Sequence, residues 1–429
     1  MIEIHTENIE KNLQKILGRT EYNLDRPEVK IVARIIKDVR RHGDKAVLKY
    51  TRRFDRVKLN NLRVDALELE LAHAQIDKEL LKALRVAIKN IAEYHFRQAP
   101  RSWQMKTGSS SSLGLRYSPV LSAGVYVPGG RAFYLSTVLM NVIPAKIAGV
   151  QRIVIVTPPG KDGAANPMLL AAARELGVDE IYLCGGAQSI AALAYGTQTI
   201  PKVDMIVGPG NIYMTLAKKL LYGTVGFDKL AGPSDCLILA DKTADPKYIA
   251  ADMLAQAEHD PLASALLITD SLDIARKTAR EIEKQIIGLE RSAVIRQSLR
   301  AYGGIFVIKN KNDFLRLTDL IAPEHLEIML KNADKIADEV NNAGAIFIGA
   351  QSPVALGDYI AGPNHVLPTG GTARFASPLS VEDFIKKTSL VQYAKSDLKA
   401  MRGYINTLAG TEGFTAHAAS VNIRFKAKS

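Results

Sequence analysis

Four of the eight histidines in this 429-residue chain, His259, His325, His365 and His417, stand within a few positions of a carboxylate, a carboxamide or a Gly/Pro-rich turn. Their settings are AQAEHDP, APEHLE, LGDYIAGPNHVLPTGGTARF and EGFTAHAAS. A metal or acid/base centre needs imidazole at an organised polar surface, and these stretches read as pieces of one polar site. Gln256 and His259 are three apart near the end of an expected helix, ahead of Pro261, so both side chains can share one face. Asp358 and His417 would complete a nitrogen and oxygen donor set suited to Zn²⁺ or its first-row neighbours. A solvated helix face accounts for Gln256 and His259 on their own equally well. Glu324 and His325 follow Pro323, which suits the first turn of a helix and would present a carboxylate and an imidazole base in different directions. A helix-start carboxylate beside a satisfied histidine is the competing reading.

Glycine clusters supply a second kind of site. VPGG at 127–130, CGGAQ at 184–188 and GPGN at 208–211 each come directly after an apolar strand-like run. There, backbone N–H groups and the next helix terminus can meet an anionic ligand. None is the GxGxxG fingerprint, and none of the strands ahead of these clusters ends in the acidic residue that would read a ribose in the standard way. A dinucleotide is allowed by this layout, and so are plain tight turns.

The elements that must carry these groups alternate. Apolar residues at helical spacing run from Glu28 to about Tyr94. From Leu121 the texture changes to short apolar strands, LSAGVYV, QRIVIVT, EIYLC and VDMIVG, separated by helices over about 136–148, 167–176, 189–194 and 212–221. Strands apolar throughout and alternating with helices imply a parallel sheet covered on both faces, with its binding edge where the strands end. A second set follows: CLILAD, a helix over 246–257, SALLITD, a helix over 272–286, GGIFVIKN, a helix starting near Pro323, and GAIFIGA. Two lobes of one texture suggest an old duplication. Beyond PTGGTARF the pattern over VEDFIKKTSLVQYAKSDLKAMRGYINTLAG is helical, and this tail is too small for a good core of its own.

Composition narrows the function classes. The formal charge is +12, but basic residues are interspersed with acidic ones and form no nucleic-acid-binding signature; the excess suits phosphate-bearing small molecules. No apolar run is long enough to cross a bilayer, and the polar, acidic start is unlike a secretory signal, so a cytoplasmic protein with no membrane partner is expected. Cys184 and Cys236 lack CxxC spacing and read as buried thiols.

VYVPGG, CGGAQSIAALAYGT, VGPGN, AGPSD, QAEHDP, LIAPEHLE, GDYIAGPNHVLPTGGTARF and EGFTAHAASV, in this order, resemble the histidinol dehydrogenase family over essentially the whole chain. The resemblance implies oxidation of L-histidinol through L-histidinaldehyde to L-histidine, with two NAD⁺ and one Zn²⁺ per active site. It implies Gln256, His259, Asp358 and His417 as metal ligands, Glu324 and His325 as the catalytic pair, and Ser234, His365 and Glu412 as further substrate contacts. Tyr126, Gln188 and Asn211 would touch the cofactor. It also implies a homodimer in which the C-terminal segment completes the partner's site. The expected fold is α/β, two similar parallel-sheet lobes of Rossmann-like character with small helical extensions at each end. Its expected divisions are an N-terminal helical extension at 1–23, a substrate and zinc lobe at 24–123 plus 237–378, a nicotinamide lobe at 124–236, and a dimerisation segment at 379–429. A zinc-dependent hydrolase and a non-enzymatic α/β small-molecule binding module are the alternatives. The first would leave the glycine-rich strand exits without a ligand, and the second has less need of an acid/base pair.

Overall fold

A computed structural model describes residues 2–18, 27–129, 135–230, 232–310 and 312–426. Gly130 of VPGG, Ala231 of AGPSD, Met1, residues 19–26 and residues 427–429 lie outside that set. The chain divides into two units, Met1–Gln98 with Val120–Phe384, and Ala99–Pro119 with Ile385–Ser429.

The chain opens with β1 (Ile4–His5), α1 (Ile9–Leu17), α2 (Pro27–His42), α3 (Asp44–Phe54), α4 (Ala66–Gln75) and α5 (Lys78–Phe96). Apolar stripes define the buried faces: Val32, Ile35, Ile36 and Val39 on α2, and Leu84, Ala87 and Ile91 on α5. Next come β2 (Trp103–Thr107) and β3 (Ser111–Pro119) of the second unit. The first lobe then winds through β4 (Ser122–Tyr126), α6 (Leu135–Ala148), β5 (Arg152–Thr157), α7 (Pro167–Glu175), β6 (Glu180–Leu183), α8 (Gly186–Tyr195), β7 (Met205–Val207), α9 (Ile212–Leu221) and β8 (Gly226–Phe227). Its strands form a parallel sheet in the order β6-β5-β4-β7-β8. The order reverses beside β4, and the crevice at the carboxyl ends of β4 and β7 is where an open sheet of this kind takes a ligand.

The second lobe follows as β9 (Asp235–Ala240), α10 (Pro246–Ala257), β10 (Ser264–Thr269), α11 (Leu272–Gln285), α12 (Ser292–Tyr302), β11 (Gly304–Val307), α13 (Asp313–Ile321), β12 (His325–Met329), α14 (Ala333–Glu339), β13 (Ala345–Ile348) and α15 (Val354–Tyr359). Its sheet is also parallel, in the order β1-β11-β10-β9-β12-β13, so the two lobes share one winding and β1 adds an extra edge. Every residue of β9 and β10 is buried, as expected for strands covered on both faces. Truncating one of these, Leu237→Ala, costs about 2–5 kcal/mol of stability. α10 starts where Asp245 caps the Lys247 N–H at 2.8 Å and Pro246 takes the first helical position.

Three sequence expectations fail. The segment after Pro323 is not a helix: the helix is α13, which Ala322 ends in the left-handed conformation (φ 47°), and His325 begins a buried strand. The helical layer of residues 27–96, expected in one lobe with 237–378, shares its cores mainly with the first sheet, α2, α3, α4 and α5 against β4–β7, although α5 also meets the 237–378 segment through Asn90 on the Ile360 carbonyl and His95 beside Asn364. Amphipathicity shows that a face is buried but not against what. Third, part of the tail read as helical is a strand, β14 (Ile385–Gln392), paired antiparallel with β3 from Ile385↔Pro119 to Gln392↔Ser112.

The second unit consists of the antiparallel sheet β14-β3-β2, α16 (Lys395–Thr411) and α17 (Thr415–Asn422). Asp397 in the first turn of α16 accepts from the Ser109 and Ser110 N–H groups and the Ser109 and Ser111 hydroxyls, fastening the helix to the β2–β3 turn. Among its described residues only Ser111, Gly114 and Ala409 are buried, so this unit has almost no core of its own. No helix among the described residues is long and apolar enough to cross a membrane.

Candidate active site

The first group of expected contacts sits at the carboxyl edge of the first sheet. Tyr126 ends β4; its hydroxyl accepts from the Gly186 N–H at 3.5 Å, and burial pushes the phenol up to about 12, so it stays neutral. Gln188 is buried in the first turn of α8 with its Oε1 unpartnered. Asn211 caps α9, its Oδ1 accepting from the Tyr213 and Met214 N–H groups. These residues bring the N-termini of two ten-residue helices to one sheet edge, a setting suited to an anionic cofactor.

The second group lies at the amino edge of the second sheet, opposite to the usual carboxyl-end rule. Ser234 and Asp235 lead into β9, and Glu324 and His325 lead into the neighbouring β12, with His325 paired to Cys236. α10 returns towards this edge and brings Gln256 and His259 with it. Asp235, which sequence reasoning did not single out, organises the pair. Its Oδ1 accepts from the Glu324 N–H at 2.8 Å, its own N–H donates to Glu324 Oε2 at 3.0 Å, and its carbonyl meets His325 Nδ1 at 3.0 Å. The only sequence signal was a carboxylate placed directly before the apolar run CLILA.

That last bond assigns the tautomer. Nδ1 must carry the proton to donate to a carbonyl, so the lone pair is on Nε2, which is buried, has no hydrogen-bond partner and lies 3.9 Å from Asp358 Oδ1. Glu324 lies 3.8 Å from Nδ1, and burial, with Asp235 beside it, pushes its carboxyl up to about 7 against the opposing effect of His325. A carboxyl with that affinity can exchange a proton near neutral pH.

Gln256 donates from Nε2 to Ser234 Oγ at 2.8 Å, and the Ser234 hydroxyl in turn serves the Glu324 carboxylate. The Gln256 Oε1 is left buried and unpartnered, an oxygen donor without an acceptor's usual partner. Burial holds His259 below the ordinary imidazole range, with Asp358 opposing and His325 assisting. His365, fixed by Nδ1 on the Asp358 carbonyl at 3.0 Å, is lowered by burial in the same way, with Asp358, His325 and His259 all acting on it. The four groups therefore feel one another, and two of the imidazoles are held neutral, the form that ligates a metal. An unpartnered amide oxygen, a neutral imidazole and a carboxylate fit a first-row divalent ion, though not a closed site. Among the described residues of one chain, no three His, Cys, Asp or Glu side chains are arranged to hold a metal. Glu412 and His417 belong to the second unit, where both are exposed, Glu412 at the end of α16 and His417 on α17.

Below the site, Asp252 of α10 and Glu327 of β12 form a buried carboxyl pair. Glu327 also accepts the Val354 N–H at 2.8 Å, tying β12 to the helix that carries Asp358. Burial raises both members, Asp252 to about 6; Asp252 raises Glu327 further, while the hydrogen bond with Glu327 pulls Asp252 back down. Their folded values exceed the unfolded carboxylate value of about 4. The stability they contribute is complete below that value and is lost as pH rises through about 6. Metal-free Asp252→Asn/Glu327→Gln protein should therefore show a flatter fall of Tm between about pH 5 and about pH 8 than the parent. Superimposable curves would remove this pair from the pH response.

Cys184 and Cys236 are both buried and unpaired, and burial drives both thiols well above their ordinary range. Neither is poised as a nucleophile.

The family profile described as "Histidinol dehydrogenase" matches residues 19–425. The chain is 50% identical over 422 residues to histidinol dehydrogenase of Synechococcus sp., covering 98% of this chain and 97% of that one. It is 50% identical over 395 residues to histidinol dehydrogenase of Bacillus subtilis, covering 92% of each. The crystal structure of histidinol dehydrogenase from Elizabethkingia anophelis superposes with a TM-score of 0.93 at 34% identity, covering 99% of this chain and 98% of that one. Sequence and fold thus agree along the full length of the molecule, deciding for a dehydrogenase over a hydrolase or a binding module, and the chain belongs to the histidinol dehydrogenase family.

Proposed function

We propose that the amino edge of the second sheet performs two successive oxidations, L-histidinol to L-histidinaldehyde and then to L-histidine, with the hydrides passing to two NAD⁺ molecules in turn. Oxidation of histidinol in histidine biosynthesis is the activity of this family and of this chain. The observation that carries the residue assignment is the His325 ring, held by Nδ1 on the Asp235 carbonyl with a buried, unpartnered Nε2. That nitrogen takes the hydroxyl proton as the first hydride leaves. Glu324 then accepts a proton from the water that adds to the aldehyde, the proton held on His325 passes to the aldehyde oxygen to complete the gem-diol, and the freed Nε2 takes the gem-diol proton as the second hydride leaves. No covalent thiohemiacetal is needed, in keeping with two inaccessible thiols.

Gln256, His259 and Asp358 would hold one Zn²⁺, with His417 of a second copy as the fourth ligand. When bound, that ion supplies orientation, anchoring the two nitrogens of the substrate so that the carbinol carbon faces the cofactor. His365, Ser234 and Glu412 would complete the substrate contacts, and Tyr126, Gln188 and Asn211 those of NAD⁺. The homodimer is supported by the large apolar side chains that the second unit leaves exposed, among them Met401, Tyr404, Leu408, Phe414 and Ile423. A cytoplasmic setting belongs to the same proposal, supported by two free thiols that form no disulfide.

The test is stoichiometry. Metal analysis of the purified protein, coupled to titration with histidinol and NAD⁺, should give two NADH per histidinol consumed. One NADH would reduce the protein to an alcohol dehydrogenase and overturn the second step.

A further inference from the structure

Lys218 of α9 and Asp228, just after β8, form an ion pair at 2.6 Å whose side chains are 2% and 1% exposed. Nothing in the proposed chemistry uses it. A fully buried ion pair is weak evidence for stability, because desolvation of both charges offsets their attraction and an apolar pair of similar volume often serves as well. Its geometry gives it another purpose. Lys218 Nζ donates to the carbonyl of Gly208 at 2.7 Å, and Asp228 Oδ2 accepts the N–H of that same Gly208 at 3.0 Å. The third Nζ proton reaches the Lys229 carbonyl at 3.4 Å. Both backbone groups of one glycine are thus gripped by the two ends of one ion pair, and all three ammonium protons are used.

Gly208 is the first residue of GPGN and stands at φ 114°, a conformation open to glycine; a Cβ there would lie 2.2 Å from the Tyr126 carbonyl oxygen. With its N–H and C=O drawn inward, Gly208 cannot turn to satisfy them elsewhere. Pro209 has no N–H, and the N–H groups of Gly210 and Asn211 find no acceptor among the described residues. Those two donors stand at the switch point of the first sheet, ahead of the ten-residue α9.

We propose that the Lys218–Asp228 pair is the positioning device for the GPGN turn, holding the Gly210 and Asn211 N–H groups in register for the cofactor and so setting NAD⁺ affinity. The inference rests on the reading of that edge as the NAD⁺ site. It is tested with Lys218→Met/Asp228→Leu, which leaves no unpaired charge, and separately with the single change Asp228→Asn, which keeps an acceptor for the Gly208 N–H. Calorimetric NAD⁺ binding, KM for each substrate, kcat at saturating NAD⁺ and Tm are measured on full-length protein. For the double variant, Kd and KM for NAD⁺ should rise by about tenfold or more, with kcat and the histidinol KM within about threefold of the parent. Asp228→Asn should shift in the same direction by less. A purely structural pair would lower Tm with no split between KM and kcat, and unchanged NAD⁺ binding in the folded double variant overturns the proposal. Should that variant not fold, unchanged binding by Asp228→Asn does so. A parent protein that binds no NAD⁺ at all overturns instead the cofactor reading on which the inference rests.

Discussion

Replacing His325 with Asn lowers both oxidations by about 10²- to 10⁴-fold while metal content stays at the parental level. An Asn amide can still donate to the Asp235 carbonyl, so the local backbone of β9 and β12 is kept, but no basic nitrogen replaces Nε2. The same nitrogen is asked to take a proton in each step, so neither step escapes. Glu324→Gln behaves differently, because Gln still offers Oε1 to the Asp235 N–H but cannot accept a proton from water. Aldehyde oxidation should fall by about 10²-fold or more, and alcohol oxidation by much less. Single-turnover formation of NADH from histidinol and, separately, from histidinaldehyde distinguishes the two. Equal losses in both half-reactions would end the division of labour between the neighbouring residues.

Mixing two inactive proteins should restore activity. His259→Ala and His417→Ala each remove one proposed metal ligand, and each homodimer should lose most of its zinc and turnover. If one site takes His259 from one copy and His417 from the other, a hybrid dimer has one site lacking both ligands and one site lacking neither. Random exchange between symmetric dimers then returns about a quarter of the parental activity. The expectation follows from two findings: His417 is an exposed residue of a unit with almost no buried side chains, and among the described residues no three His, Cys, Asp or Glu side chains of one chain are grouped to hold a metal. Metal content and turnover are followed as the mixture equilibrates. Confirmed subunit exchange without any recovery would show that each chain builds its own site.

The alternation of apolar strands and helices made both sheets legible, because parallel strands buried on two faces are apolar throughout; CLILA and SALLIT are buried at every position. Short apolar runs next to proline were less legible. HLEIM has no alternation to separate a buried strand from a helix, and Pro323 suits a helix start, so only the left-handed Ala322 reveals the stop. β14 was hidden for another reason: its partner β3 lies more than 260 residues earlier, from Ser112 to Pro119, and long-range pairing leaves little trace in local spacing. At the site, the ligand and catalytic candidates came from motifs, and the structure supplies what motifs lack. It gives the tautomer of His325, the unpartnered oxygen of Gln256 and the organising part of Asp235.

Cys236 is the sheet neighbour of His325, yet its sulfur is sealed in the core beneath β9, and Cys184 is equally enclosed. Electrophilic warheads that silence thiol-dependent oxidoreductases therefore have no handle here. Inhibition has to come from groups that bind reversibly at the polar strand edges, and oxidants such as peroxide find neither thiol within reach, meeting instead the exposed methionines Met105, Met168 and Met401.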